Sequence, residues 1–312
     1  MSRAGTVAAR VAQIVPTFLL IGVVVFVLAR LLPGDPVSAL LGDRATDEAV
    51  NRLRAQMGLD APIWTQFVLF IQNAAQGNFG NSIAYRVPVL RLIGERLPVT
   101  LLLTGLATVL ALAMAVPLAL VSATAAGRWP DYLIRAVFQV GLSSPIFYVG
   151  LIMLTVFAAG LRWFPVGGYG SGFVDNVYHL VLPAAALALS FSAVIMRNLR
   201  AALLDVMQAE YVDFAVAKGL RRRVILLRHV LRNAGISTVA LVGLHVGSLL
   251  GGAVITESVF AVPGVGRLMI DSIFARDYPV IQALTLVLAV LVSLAFLLTD
   301  LLQMWLDPRI GR

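Results

Sequence analysis

The chain has 312 residues, of which 60% are hydrophobic and 13% charged, against roughly 25% charged in an average soluble domain, so water is not the solvent for most of its surface. Its 24 basic and 16 acidic side chains give a net charge of +8. There is no cysteine, which excludes a disulfide framework, thiolate metal ligands and a cysteine nucleophile.

A hydrocarbon core about 30 Å thick needs about 20 apolar residues at a rise of about 1.5 Å each. Six stretches meet or approach that length without an Asp, Glu, Lys or Arg, and they predict an all-α membrane protein of six transmembrane helices. The first, Val11 to Ala29, follows Arg3 and Arg10. A basic start before an apolar run also describes a cleaved signal peptide, but this run is long, ends on Arg30 and has no A-x-A-like site, so it reads as a retained anchor. Residues 1–31 form a first segment on this reading, and 32–96 an insertion on the opposite side of the membrane. Within the insertion, Thr46 to Met57 and Pro62 to Ala75 are helix-like and Gly77-Asn78-Phe79-Gly80-Asn81 is a breaker cluster. Two readings stay open for it: a structural lid, or a docking surface for an external partner.

Residues 97–312 hold the remaining spans, Leu97 to Ala126, Ala136 to Ala159, Leu180 to Met196, Gly235 to Thr256 and Val280 to Thr299. Pro117 and Pro145 predict kinks inside their spans, and Pro183 suits a first helical turn at the start of the fourth. The connections after spans two and four carry Arg128, Arg135, Arg197, Arg200, Lys218, Arg221, Arg222, Arg223, Arg228 and Arg232, ten in all, whereas the opposite short loops carry only Arg162, Arg267 and Arg276. The positive-inside rule therefore places both termini in the cytoplasm.

The energy source is read from what is missing. The only lysine, Lys218, follows no glycine-rich phosphate loop, so the chain does not hydrolyse ATP by that route. An ion-driven carrier keeps titratable groups within its spans, and these spans hold only His245. His179, His229 and His245 have no metal-ligand spacing, and no G-x-S-x-G elbow is present, which leaves an intramembrane hydrolase a weak alternative.

The connection 197–234 is polar and free of proline. From Asp205 to Lys218 it predicts a short helix with acids near its start and the lysine at its end, as the helix dipole favours, closed by Gly219. Arg221 to Asn233 predicts a second helical stretch with Val224, Leu227 and Leu231 on one side. The plainer reading is a topology-setting loop beside anionic membrane lipid. The triplet Arg221-Arg222-Arg223 lacks the aromatic interleaving of a nucleic-acid site.

Asp213-Phe214-Ala215, then three residues, then Gly219 resembles the E-A-A-x-x-x-G signature of ATP-binding cassette importer permeases. In that family a short coupling helix sits in a groove of the ATPase subunit. Asp213 stands for the usual glutamate, Phe214 for the first alanine, and of the following I-x-L-P only Leu231 matches. Leu31-Leu32-Pro33-Gly34-Asp35-Pro36, Arg96 to Leu101, Phe164-Pro165-Val166-Gly167-Gly168, Glu210-Tyr211-Val212, Ala217-Lys218-Gly219, Arg228 to Ala234 and Asp307-Pro308-Arg309 are similar to the dipeptide, oligopeptide and nickel subfamily. The long first loop resembles the first of the two permeases in such systems. Glu257-Ser258-Val259-Phe260-Ala261-Val262-Pro263-Gly264-Val265-Gly266-Arg267 and Arg276-Asp277-Tyr278-Pro279 fit the same pattern.

The resemblance implies a type I importer permease fold in the inner membrane and a path for peptides, with nickel, glutathione or another small solute as alternatives. It implies a second homologous permease, two ATPase subunits that bind ATP and Mg, and an external binding protein, with no cofactor and no nucleic acid on this chain. Glu210, Tyr211, Asp213, Phe214, Ala215, Ala217, Lys218, Gly219, Leu220 and Arg221 would then couple to the ATPase. Glu257, Phe260, Pro263, Gly264 and Gly266 form either a fixed outer loop or a gate, and Glu257 needs Arg267 or backbone amides as partners. Small polar residues on the spans, Thr104, Ser143, Ser144, Ser190, Ser192 and Ser248, are candidates for the path wall and equally for close helix packing.

Overall fold

A computed structural model of the chain describes residues 16–27, 46, 48, 51, 52, 55 and 60–306. The expected helix Thr46 to Met57, the Leu31 to Pro36 and Asp307 to Arg309 motifs and the start of the first span lie wholly or largely outside those residues. Among the described residues the chain is helical. The helices are α1 (Pro16–Val27), α2 (Ile63–Ala75), α3 (Val89–Thr124), α4 (Trp129–Ser143), α5 (Ile146–Met153), α6 (Phe173–Met207), α7 (Glu210–Ala217), α8 (Leu231–Val259), α9 (Val265–Phe274) and α10 (Tyr278–Leu306). Helices α3, α6 and α10 are each long and apolar enough to cross a membrane. Two further spans are bent: α4 with α5, and the run that enters α8.

Helix α6 is the axis of the molecule, packed against α3, α4, α5 and α8. The face of α3 that enters this core is Leu103, Ala107, Ala111, Ala115, Ala119 and Ala123, one residue every four and all buried. In a bilayer, helices gain little from hiding apolar surface from lipid, so association rests on close backbone approach across small side chains. Ala184, Ala186 and Ala188 on α6 are buried in the same core. A second, smaller core forms where the start of α3 (Val89, Leu92, Ile93) meets α9 (Val265, Leu268) and the start of α10 (Val280, Ala283, Leu284). Span two therefore begins as a helix at Val89, so the boundary expected at Arg96 and Leu97 falls inside α3.

The prolines behave differently from one another. Helix α3 runs on through Pro98 and Pro117, whereas at Pro145 the third span breaks, and its two halves meet at 105°. Ser144 is extended there (φ −87°, ψ 130°), the conformation that a following proline imposes by steric clash. Pro183 lies within α6, which starts ten residues earlier at Phe173, and not in a first turn as its sequence context suggests. Beyond Met153 the third span continues in wider π turns over Leu154–Gly160.

In the insertion, α2 lies along α1. The Phe26 ring meets Phe67 edge-on at 5.2 Å and Phe70 at 5.8 Å, and a side chain on Gly22 would press within 2.9 Å of Ile71. Ile63, Trp64, Val68 and Leu69 of α2 remain exposed.

Candidate functional site at the basic end

Helix α6 stops at Met207, and an extended Ala209 turns the chain into α7. Glu210 and Asp213 fall in the first turn of α7, where the positive end of the dipole favours them. The helix closes as expected: Lys218 follows Ala217, and Gly219 takes φ +73°. The Leu220 amide donates to the Ala215 carbonyl (3.2 Å) and the Gly219 amide to Val216 (2.9 Å), which is the paired closure of a Schellman motif. No atom lies within 4 Å of where a Cβ on Gly219 would sit, so glycine is needed there for conformation and not for space.

Burial divides α7 cleanly. Val212 and Ala215 enter the main core alongside Leu203, Ile225 and Val230. Phe214 (67% exposed), Val216 (59%), Tyr211 and Leu220 point outward, beside exposed Lys218, Arg221, Arg222 and Arg223. Of the ten expected coupling residues, Ala215 alone is buried, and the other nine share the outer surface of the segment. A cluster of large apolar side chains amid charge on a solvent-facing end marks an interaction surface. The Asn233 amide donates to the Tyr211 hydroxyl (3.0 Å) and to the His229 carbonyl (2.8 Å), fastening α7 to the start of α8.

The following stretch departs from the expectation. Val224 and Leu227 are exposed and Leu231 is half-buried, while Ile225 and Val230 face the core. The reason is local: Ile225–Val230 is wound in π turns, so the inward residues are five apart and not three or four.

Where the ends of α3 and α6 meet the start of α4 sits a buried carboxylate that no sequence motif marked. Asp131, in the first turn of α4 and 1% exposed, accepts both arms of Arg200 from α6, Nε to Oδ1 and Nη2 to Oδ2 at 2.8 Å each. It also accepts the Ser122 hydroxyl from the end of α3 (2.6 Å) and the Gly127 amide (3.1 Å). Arg200 Nε reaches Ser122 Oγ as well (2.9 Å), and Arg135 Nε stands 3.7 Å from Oδ1. Three helices thus meet on one carboxylate.

The opposite end has two more. Glu257 is fully buried and accepts the Thr100 hydroxyl (2.5 Å), the Arg267 amide (3.0 Å) and the Gly266 amide. Thr100 Oγ1 in turn accepts the Val265 amide (2.9 Å). The backbone amides are the partners, and the Arg267 guanidinium goes instead to the Ala261 carbonyl (2.8 Å). Glu257 thereby caps the first turn of α9 from a distance. A Cβ on Gly264 would lie 2.2 Å from its carboxyl, and one on Gly266 would lie 2.5 Å from the Val254 backbone, so both glycines are there for close approach. Phe260 is buried, its carbonyl accepts the Gly168 amide (3.1 Å), and Pro263 is half-buried in the turn. These contacts hold the loop in one shape in this structure. Asp277, also fully buried, accepts the Ser82 hydroxyl and the amides of Ile83 and Ala84 (3.1 Å each).

The small polar residues on the spans separate into two groups. Thr104 and Ser192 are buried in the bundle, bonded to the Thr100 and Leu189 carbonyls, and the Ser190 hydroxyl is also enclosed. Ser143 and Ser248 are exposed and Ser144 is half-buried, with Ser143 and Ser144 at the break of the third span. His245 stacks on Phe191 at 5.6 Å, with Nδ1 2.9 Å from the Leu241 carbonyl. A cavity of about 570 Å³ lies between α1, α8 and α10, lined by Ile21, Leu250, Val292 and Phe296 among others.

Residues 115–312 match the model of the binding-protein-dependent transport system inner membrane component, and residues 6–104 match the N-terminal model of such membrane components. The chain is 36% identical over 304 residues to "Probable peptide ABC transporter permease protein y4tP" of Sinorhizobium fredii, covering 96% of this chain and 97% of the relative. It is 38% identical over 301 residues to "Glutathione transport system permease protein GsiC" of Escherichia coli K12, again covering 96% and 97%. Among solved structures, an inward-facing MetNI methionine ABC transporter chain aligns with a TM-score of 0.59 at 16% identity, covering 69% of this chain and 96% of that one.

Proposed function

The chain belongs to the inner membrane component family of binding-protein-dependent transport systems, and from that premise we propose that it is the permease subunit of an importer for peptides. The type I permease fold places the spans around a path, and the motor lies elsewhere, since a permease subunit has no ATPase site of its own. Of two curated relatives, one is named for peptide and one for glutathione, itself a tripeptide, which supports a peptide-like cargo. An external binding protein delivers that cargo. ATP and Mg are bound by two cytoplasmic ATPase subunits, and a second, homologous permease completes the path. The excess of arginine at the α7 end supports cytoplasmic termini. Ser143, Ser144 and Ser248 face the path on this reading.

One observation carries the proposal: α7 buries Val212 and Ala215 in its own chain and leaves Phe214, Val216 and Leu220 uncovered beside a basic cluster. A short helix anchored on one side and apolar on the other fits a groove on a partner. When the ATPase subunits close on ATP, they displace α7, and the movement switches the path from inward-facing to outward-facing. Co-purification with the cognate ATPase is expected to fall sharply in Gly219→Pro and Asp213→Arg, with transport lost in both. Undiminished association and transport in both variants would remove α7 from the coupling route.

A further inference from the structure

Movement of α7 reaches its own chain through the Tyr211 and Asn233 contact into α8 and also through the continuous backbone into α6 and the contacts of α6 with its neighbours. Arg200 lies in the last third of α6, two turns before Met207, and Leu199 and Leu203 on either side are buried. Its guanidinium does not turn to solvent, as an arginine near a helix end normally does. It is held bidentately by Asp131 and shares the Ser122 hydroxyl. Asp131 is spent entirely on this junction: both oxygens are occupied, and its donors come from α6, from the end of α3 and from the α3–α4 turn. The planar fork of arginine fixes distance and orientation together.

The contacts continue along α4. Gly141 packs on Leu189 of α6, and two residues after Leu142 the span breaks at Ser144 and Pro145. Beyond the break, Gly150 of α5 packs on Phe260 of the loop at the opposite end. Both halves of the third span pack on α6, but only the basic-end half is tied to it by the carboxylate pair, while the other half also meets the loop that Glu257 holds.

We infer that Asp131 and Arg200 are positioning residues for transport, a latch that makes α4 and the end of α3 travel with the end of α6 and with α7. The 105° break after Ser143 is where α4 can follow that movement. This rests on the reading of α7 as the element that the ATPase moves. Arg135, the second cation near Asp131, is half-exposed and 3.7 Å away without a hydrogen bond, so it does not replace Arg200.

The chain has no native cysteine, so an introduced thiol is the single reporter on this subunit, and its labelling is read on this subunit after the assembled transporter is separated. Ser143→Cys reports on α4, and Gln208→Cys, exposed at the end of α6, reports on the α7 side. With the latch intact, ATP is expected to change the reactivity of both thiols with a water-soluble methanethiosulfonate by about fivefold or more, the lower end of ordinary allosteric coupling. In Asp131→Asn or Arg200→Gln, ATP hydrolysis and the Gln208→Cys response are expected to persist while the Ser143→Cys response disappears. The double variant should be no worse than either single one, because both remove the same junction. Arg200→Lys, which keeps the charge and one donor, should give an intermediate response and serves where Asp131→Asn does not assemble. A Ser143→Cys response that is absent in the parent, or equal in parent and latch variants, would overturn the inference. A missing Gln208→Cys response in the parent would instead remove the α7 reading on which it rests. Proportional loss of both responses with the amount of folded chain would make the pair merely structural, and that too would overturn it.

Discussion

The two ends of the molecule are each held by buried carboxylates, but only at the basic end is a guanidinium among the hydrogen-bond donors. There Asp131, besides one hydroxyl and one turn amide, is gripped by a long arginine side chain that reaches from another helix. At the opposite end Glu257 and Asp277 are gripped by hydroxyls and by the backbone amides of a turn. Amide partners fix the shape of a loop, because moving them means refolding the backbone. A side-chain pair instead joins two helices, and it lets them move together as a body. The Glu257 end is built as a frame, and on the proposed function the basic end serves as a transmission.

That contrast can be broken by substitution. The largest effect is expected from Glu257→Ala, which leaves the Thr100 hydroxyl and two buried amides without an acceptor. The loss is about 3 to 5 kcal/mol of stability, summed from the ordinary cost of stranded buried donors. It would show as a lower midpoint in thermal unfolding of the detergent-purified chain and as new proteolysis near Arg267. Asp131→Asn should cost about 3 kcal/mol, since one partner of a buried pair is left uncompensated, yet the loop at Arg267 should stay resistant to protease. A smaller loss of about 1 kcal/mol is expected for Gly219→Ala, which places a Cβ at φ +73° without a clash. The smallest change in stability belongs to Phe214→Ser, within about 0.5 kcal/mol for an exposed side chain, although it should weaken ATPase association more than any of the other three. An ordering in which Phe214→Ser destabilises the isolated chain would mean that Phe214 belongs to the core.

Much of the fold was legible because the expected spans contain no Asp, Glu, Lys or Arg and the basic residues of the short loops fall mostly on one side. The closure of α7 at Gly219 was legible for a similar reason: acids, lysine and glycine occur in the order that a short helix requires. Other features were not. Pro117 and Pro145 look alike in sequence, and only the extended Ser144 distinguishes a continuous helix from a broken span. The inward residues Ile225 and Val230 are five apart, a spacing that a 3.6-residue period does not search for. Glu257 announced the need for a partner, but Thr100 is 157 residues away. Arg200 read as ordinary loop charge, and Asp131, 69 residues away, stood in no motif. The alanine row on α3 from Ala107 to Ala123 was open to view in the sequence, and its strict spacing of four is a signal for close helix packing.

The central claim is that the outward face of α7 docks on the ATPase. A single thiol at Phe214→Cys in this cysteine-free chain, treated with a short thiol-to-amine crosslinker in the assembled transporter, tests it most directly. A crosslinked product containing the ATPase subunit, lost when Gly219→Pro is added, is the expected result. An assembled complex that transports normally and yields only uncrosslinked chain would contradict it.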